Sequence, residues 1–249
     1  MSSSTRSILR ITGDDQIPFL QGILTNDILK LNDDKIQFAA LLSPQGKILH
    51  DMFLVSWDNA ILIDSDAAYA DILKKRLAMY KLRAKITIED VSADILVTHD
   101  PNGLPDPRHP ELPHRLYSNV STGESSNHEL RITNHESLAL GIPELGRDFV
   151  PDSVVALDAG YDLLHAVSFT KGCYVGQEVT ARMHYKNIAR RGFYILTHDT
   201  MPPRLALLRF EEVEAANGFA TVDNIAYRAT LPAWMQPKFT QFKTTLEKQ

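Results

Sequence analysis

Two strand-like runs, Gln37 to Leu42 and Lys47 to Ser56, are joined by Ser43-Pro44-Gln45-Gly46. Proline at the second position of a four-residue turn and glycine at the fourth favour a type I hairpin there. That hairpin commits the N-terminal part of the chain to an antiparallel sheet. Ser7 to Ile11 alternates as a strand, and Ala60 to Ile63 continues the sheet. Lys85 to Glu89 alternates cleanly, with Asp94 to Thr98 as its expected partner. Two helices lie between these strands. The first is capped by Asp14 or Asp15 and carries Ile17, Phe19, Leu20 and Ile23. The second, Asp66 to Tyr80, places Tyr69, Ile72, Leu73, Leu77 and Tyr80 on one face.

Further along, Pro101, Pro105, Pro107, Pro110 and Pro113 exclude a helix or central strand, so 101–114 is expected as an exposed loop. His109 and His114 inside it read as solvated loop histidines rather than metal ligands. A short strand follows near Arg115 to Tyr117. Helices are expected from Asn134 to Leu140, ending at Gly141, and around Val154 to His165. Beyond Arg191 the pattern turns to short strands: Phe193 to Thr197, Arg204 to Phe210 and Ile225 to Ala229. The expected division is a main domain over 1–190 and a small β module over 191–249.

The chain holds a single cysteine among 249 residues. That excludes an internal disulfide, a cysteine-rich zinc site and a self-contained four-thiolate cluster, and suits a reducing compartment. A chain of this length buries enough apolar surface to fold without such staples. Its net charge of −5 gives no general attraction to nucleic acid or acidic membrane, so any basic site is local. No apolar run approaches the ~20 residues that span a bilayer. Met1 to Arg6 lacks the apolar core of a secretory signal.

A lone intracellular cysteine is usually an inert, buried small hydrophobe. The neighbours of Cys173 point elsewhere. Gly172 and Gly176 remove side-chain bulk around it, and Lys171 supplies a cation two positions away. A helix beginning at Gln177 would put its positive end close by. A nearby ammonium and a helix N-terminus both favour thiolate over thiol. Arg182, His184, Lys186, Arg190 and Arg191 follow, a local basic run suited to an anionic ligand.

The run from Val167 to Arg182, Val-Ser-Phe-Thr-Lys-Gly-Cys-Tyr-Val-Gly-Gln-Glu-Val-Thr-Ala-Arg, resembles the signature of YgfZ-type folate-binding proteins. Those are relatives of the glycine-cleavage T-protein, an aminomethyltransferase, and their mitochondrial members assist maturation of iron–sulfur enzymes. Phe19 to Asp27, Ala40 to Asp51 and Gly141 to Phe149 resemble further segments of that family, so the likeness runs from about Ile8 to Arg191. It implies an α+β T-protein-like fold, with subdomains around a tetrahydrofolate channel and a C-terminal β-barrel-like module. Only about a dozen residues separate Phe193 from the run Leu205 to Arg209, which implies a shortened module with an exposed edge.

The resemblance also implies site roles. Cys173, Lys171 and Asp51 would carry the chemistry. Asn26, Asp51, Gly172, Tyr174, Gly176, Gln177, Glu178, Arg182 and Arg191 would contact the folate. Where T-proteins have paired acids after the hairpin, this chain has His50-Asp51. Where they have an Arg-Leu-Glu-Ala-Gly-like run whose glutamate grips the pterin, it has Ser137-Leu138-Ala139-Leu140-Gly141. These departures argue against an ordinary aminomethyltransferase. The function implied is a folate-binding accessory protein for iron–sulfur cluster synthesis or repair, acting as a monomer with assembly proteins or client enzymes. It would need no metal site of its own, no nucleic acid and no membrane, in a bacterial cytoplasm or a mitochondrial matrix. Two alternatives stand beside it: an aminomethyltransferase of glycine cleavage, and a module for RNA modification or recognition that uses the basic run.

Overall fold

The computed structural model describes residues 6–120 and 135–247. The chain divides into two compact units, one of Met1–Leu42, Leu49–Asn134 and Leu164–Val175, the other of Ser43–Ile48, His135–Leu163 and Gly176–Gln249.

The first unit is built on a five-stranded antiparallel sheet. Its strands are β1 (Arg6–Thr12), β2 (Gln37–Leu42), β3 (Ile48–Trp57), β4 (Ala60–Asp66) and β5 (Thr87–Asp90), in the order β2-β3-β4-β1-β5. Alternation along these strands makes two faces. Leu9, Ile11, Leu41, Met52, Leu54, Ile61 and Ile63 share one face and bury it against two helices, α1 (Gln16–Ile23) and α2 (Ala70–Lys81). Phe19, Leu20 and Ile23 of α1 and Leu73 and Leu77 of α2 complete that core. Ile72, expected in it, points to solvent instead. Asp15 precedes α1 without capping it: its carboxylate accepts from the Lys85 amide, 70 residues away.

The opposite face carries a buried charge network with no signal in the sequence pattern. Asp64 accepts from Arg6 Nε (2.6 Å), Arg115 Nη1 (3.3 Å) and the Tyr117 hydroxyl (2.7 Å). Asp106 accepts from Arg108 and from Arg115 Nε. The Arg115 guanidinium also stacks 3.7 Å from the centre of the Phe53 ring. Tyr117 and Arg115 lie on β7 (Arg115–Asn119), which pairs with β6 (Ile95–Leu104), so the network fastens this two-stranded ribbon to the sheet. Two expectations are corrected here. β6 pairs with β7 while β5 pairs with β1, because Asp90 accepts from the Ser92 amide and hydroxyl and turns the chain off the sheet. The proline-rich stretch is not all exposed loop either: β6 runs to Leu104, and Asp106, Arg108 and Leu112 are buried.

The second unit contains α3 (His135–Ala139), α4 (Gln177–Lys186) and a four-stranded antiparallel sheet. Its strands are β8 (Arg191–Thr197), β9 (Arg204–Arg209), β10 (Phe219–Val222) and β11 (Ile225–Thr230), in the order β10-β11-β8-β9. The expected strand through Phe210 stops at Arg209, and Phe210 opens α5 (Phe210–Ala215). Helix α6 (Gln236–Leu246), not foreseen, packs Phe242 and Phe239 on Phe210, Tyr194 and Tyr227. α3 ends at Ala139, short of the expected Leu140, and Gly141 at φ +70° closes the turn that follows; the Asn134 cap lies outside the described residues. Val154 to His165 forms successive turns instead of a helix. Its start is used to bind the hairpin tip, with Ile48 donating to the Val154 carbonyl and Ala156 donating to that of Gly46. Positive φ at Asp152, Gly160 and His165 then interrupts any helical run.

Candidate functional site

The cysteine-bearing segment is fixed at both ends. Lys171 is only 9% exposed, and its ammonium donates to the carbonyls of Gln21 (2.7 Å), Leu24 (2.6 Å) and Asn26 (2.8 Å). α1 ends at Ile23, so the cation sits where the helix leaves carbonyls unpaired and its dipole is negative. Burial pushes this ammonium down to about 8, against the pull of Asp27. Its three protons are all spent on the backbone, which leaves none to hydrogen-bond a thiolate. Tyr174, the second fixed point, is buried with its ring 5.1 Å from the Lys171 nitrogen.

Thr25 and Asn26 tie the same turn to neighbouring strands. Thr25 donates its hydroxyl to the Ala166 carbonyl (2.6 Å) and accepts from the Ala40 amide (2.8 Å). Both amide protons of Asn26 are used, on the carbonyls of Phe38 and His165. Asn26, expected to face a ligand, therefore acts as a bracket between β2 and the motif segment. Gln21, Leu24 and Thr25 complete this cradle. They went unmarked in the sequence because their contribution is mostly through backbone carbonyls.

Between the two anchors, Gly172 and Cys173 reach solvent. A methyl group built on Gly172 would meet nothing within 4 Å, so this glycine is not holding off a close neighbour within the protein. The result is a thiol on a short exposed tip whose base cannot shift without breaking three hydrogen bonds.

Asp51 and His50, adjacent on β3, point to opposite faces. His50 is 2% exposed on the side of α2, where burial and then the nearby Arg76 cation lower it to about 4, so it is neutral at physiological pH. Asp51 is half-buried and lies on the face of Phe53, where its charge also acts on Arg6.

Gly176, Gln177, Glu178, Arg182 and Arg191 belong to the second unit. Gly176 sits at φ +83° directly before α4, and Glu178 lies in the first turn, where an acid suits the helix dipole. Arg182, Lys186, Arg190 and Arg191 are exposed. The stretch replacing the pterin-gripping run is also occupied structurally. Arg147 donates to the buried Ser137 hydroxyl (2.8 Å), the Ile142 carbonyl (2.9 Å) and, through several bonds, Asp148. Ala139 is exposed and offers no carboxylate. Among the described residues, no group of three or more His, Cys, Asp or Glu could hold a metal ion, and no helix is long and apolar enough to cross a membrane.

No family model matches the chain. Over 266 residues it is 28% identical to the iron–sulfur cluster assembly factor IBA57 homolog, mitochondrial, of Mycosarcoma maydis, covering 87% of this chain and 66% of that protein. It is 27% identical to the mitochondrial iron–sulfur cluster assembly factor IBA57 of Homo sapiens, covering 76% of this chain and 63% of that one. The chain thus spans somewhat under two thirds of the length of such curated relatives. In fold it matches the crystal structure of the glycine cleavage system aminomethyltransferase T from Bartonella henselae, with a TM-score of 0.61 over 93% of this chain and 84% of that chain, at 11% identity. The tip motif, the antiparallel sheets and these likenesses converge: in sequence the chain is similar to mitochondrial iron–sulfur cluster assembly factors, and in fold to the glycine-cleavage T-protein.

Proposed function

We propose that this chain is an accessory factor of iron–sulfur cluster assembly that works through the thiol of Cys173. The observation that carries the reading is the tip itself: anchors at Lys171 and Tyr174 present the chain's sole cysteine to solvent. The names of the related assembly factors support the process. A single thiolate supplies one ligand of the four a cluster takes, so the cluster is cargo, and the remaining ligands come from an assembly protein or a client enzyme. The related factors are mitochondrial, which favours the mitochondrial matrix over a bacterial cytoplasm for this chain.

Tetrahydrofolate, which the fold's relatives suggest, fits these residues poorly. Ala139 stands where a carboxylate would grip the pterin, Ser137 is engaged by Arg147, and Asn26 and Lys171 have spent their donors. No step of the proposed function passes through folate, and Asp51 is the residue we assign to any contact with it. The same losses disfavour aminomethyl transfer.

The test is Cys173→Ser, expressed in cells depleted of the related assembly factor. Iron–sulfur enzyme activities should stay at the depleted level, while the wild-type chain restores them. Full restoration by the serine variant would remove Cys173 from the function.

A further inference from the structure

The outer face of α2 carries a second feature. Ile72 is 51% exposed, Met79 76% and Leu82 87%, on the side of the helix away from the buried Leu73 and Leu77. Ile72, Lys75 and Met79 recur at intervals of three and four residues along the helix, the spacing that forms a seam between two packed helices, and Leu82 follows at the helix end. Leu82 closes the helix at φ +45°, a backbone conformation that L side chains rarely adopt. A leucine that is strained there and almost fully exposed gains nothing from the core of this chain. Its side chain becomes useful only when something covers it.

Charge indicates what covers it. From Lys74 to Lys85 the segment holds Lys74, Lys75, Arg76, Lys81, Arg83 and Lys85 and no acid, in a chain of net charge −5. The charge of Lys74 acts on Asp90 and that of Arg76 on His50. Lys75, Lys81, Arg83 and Lys85 are the segment's other cations, and Lys75 lies between Ile72 and Met79 on the helix. A cation at a seam position selects a carboxylate opposite and fixes register. The inner side of α2 is consumed by the core, so three apolar side chains are left, too small an area to hold a membrane. The segment also has no exposed aromatic platform for nucleic acid bases.

We infer that the outer face of α2, through Ile72, Lys75, Met79 and Leu82, is a docking surface for an acidic amphipathic helix of a partner protein. The partner helix carries aliphatic residues at the same spacing and a glutamate or aspartate against Lys75. This surface shares no residue with the thiol tip, and its test does not use Cys173.

The probe is a synthetic helical peptide of leucine and glutamate in heptads, followed by fluorescence anisotropy with the full chain. Wild type should bind it, more weakly as salt rises. Lys75→Glu and Met79→Ser should each weaken binding about tenfold or more, and a peptide with lysine opposite position 75 should restore the Lys75→Glu variant. Leu82→Gly should weaken binding while raising the thermal midpoint, because it relieves the positive φ; circular dichroism confirms folding of each variant. Equal binding by all variants, or no charge-swap rescue, overturns the inference. So does binding to phosphatidylserine vesicles without binding to the peptide, or a dimer in sedimentation that masks this face.

Discussion

Replacing Lys171 with methionine keeps most of the aliphatic stem and removes the ammonium that three backbone carbonyls share. The Leu24 bond is buried, whereas those to Gln21 and Asn26 are part-buried and open to partial replacement by water. A hydrogen bond from a charged donor contributes roughly 1.5–3 kcal/mol. Taking the low end for the two outer bonds, and allowing for the apolar gain of methionine, the variant should lose about 3 kcal/mol in urea denaturation. Lys171→Arg should not rescue it: the planar guanidinium fork suits a carboxylate, not three carbonyls converging on a point.

The same variant separates an anchoring role from a thiolate-holding one. If Lys171 served the thiol through its charge, removing it would slow alkylation of Cys173 at fixed pH. An anchor predicts no slowing, and faster labelling where the tip loosens. Stability within about 0.5 kcal/mol of wild type, or slower alkylation in a fully folded variant, would refute the reasoning.

The remaining predictions use other parts of the molecule. His50, lowered to about 4 from 6.5, binds its proton later in the folded chain than in the unfolded one. The stability it confers is complete above pH 6.5 and is lost as pH falls toward 4, by up to about 3 kcal/mol; His50→Gln should flatten this slope in acid titrations followed by fluorescence. Gly172→Ala should leave the thermal midpoint within about 2 °C of wild type, since its new methyl meets nothing. Gly160→Ala should lower it far more, because its methyl meets the Trp234 ring at 2.6 Å with φ at +74°. Calorimetric titration with tetrahydrofolate should show wild type binding about tenfold or more weakly than Ala139→Glu; equal affinities would show that the missing carboxylate is not what limits binding.

The fold was legible where its signal is local. The hairpin needed only Pro44 and Gly46, and the strands around it only their alternation. Val154 to His165 misled because its apolar spacing suits a helix, while the amides and carbonyls of its first residues are claimed by Gly46 and Ile48, over a hundred positions away. The Asp64 network was invisible for a related reason: its partners Arg6, Arg115 and Tyr117 are each more than 50 residues from it in sequence. At the candidate site the motif marks both the cysteine and the lysine but not the backbone carbonyls that take the lysine's protons, and the cause is general. A side chain that pairs with a carboxylate leaves two marks in a sequence, whereas one that pairs with backbone carbonyls leaves a single mark. Lys238 repeats the case, donating to the Leu157 carbonyl as well as to Asp162. In both places a buried ammonium fixes a segment that lacks regular structure. A lysine in a motif beside a reactive residue is therefore as much a candidate anchor as a candidate charge, and only the positions of nearby carbonyls decide between them.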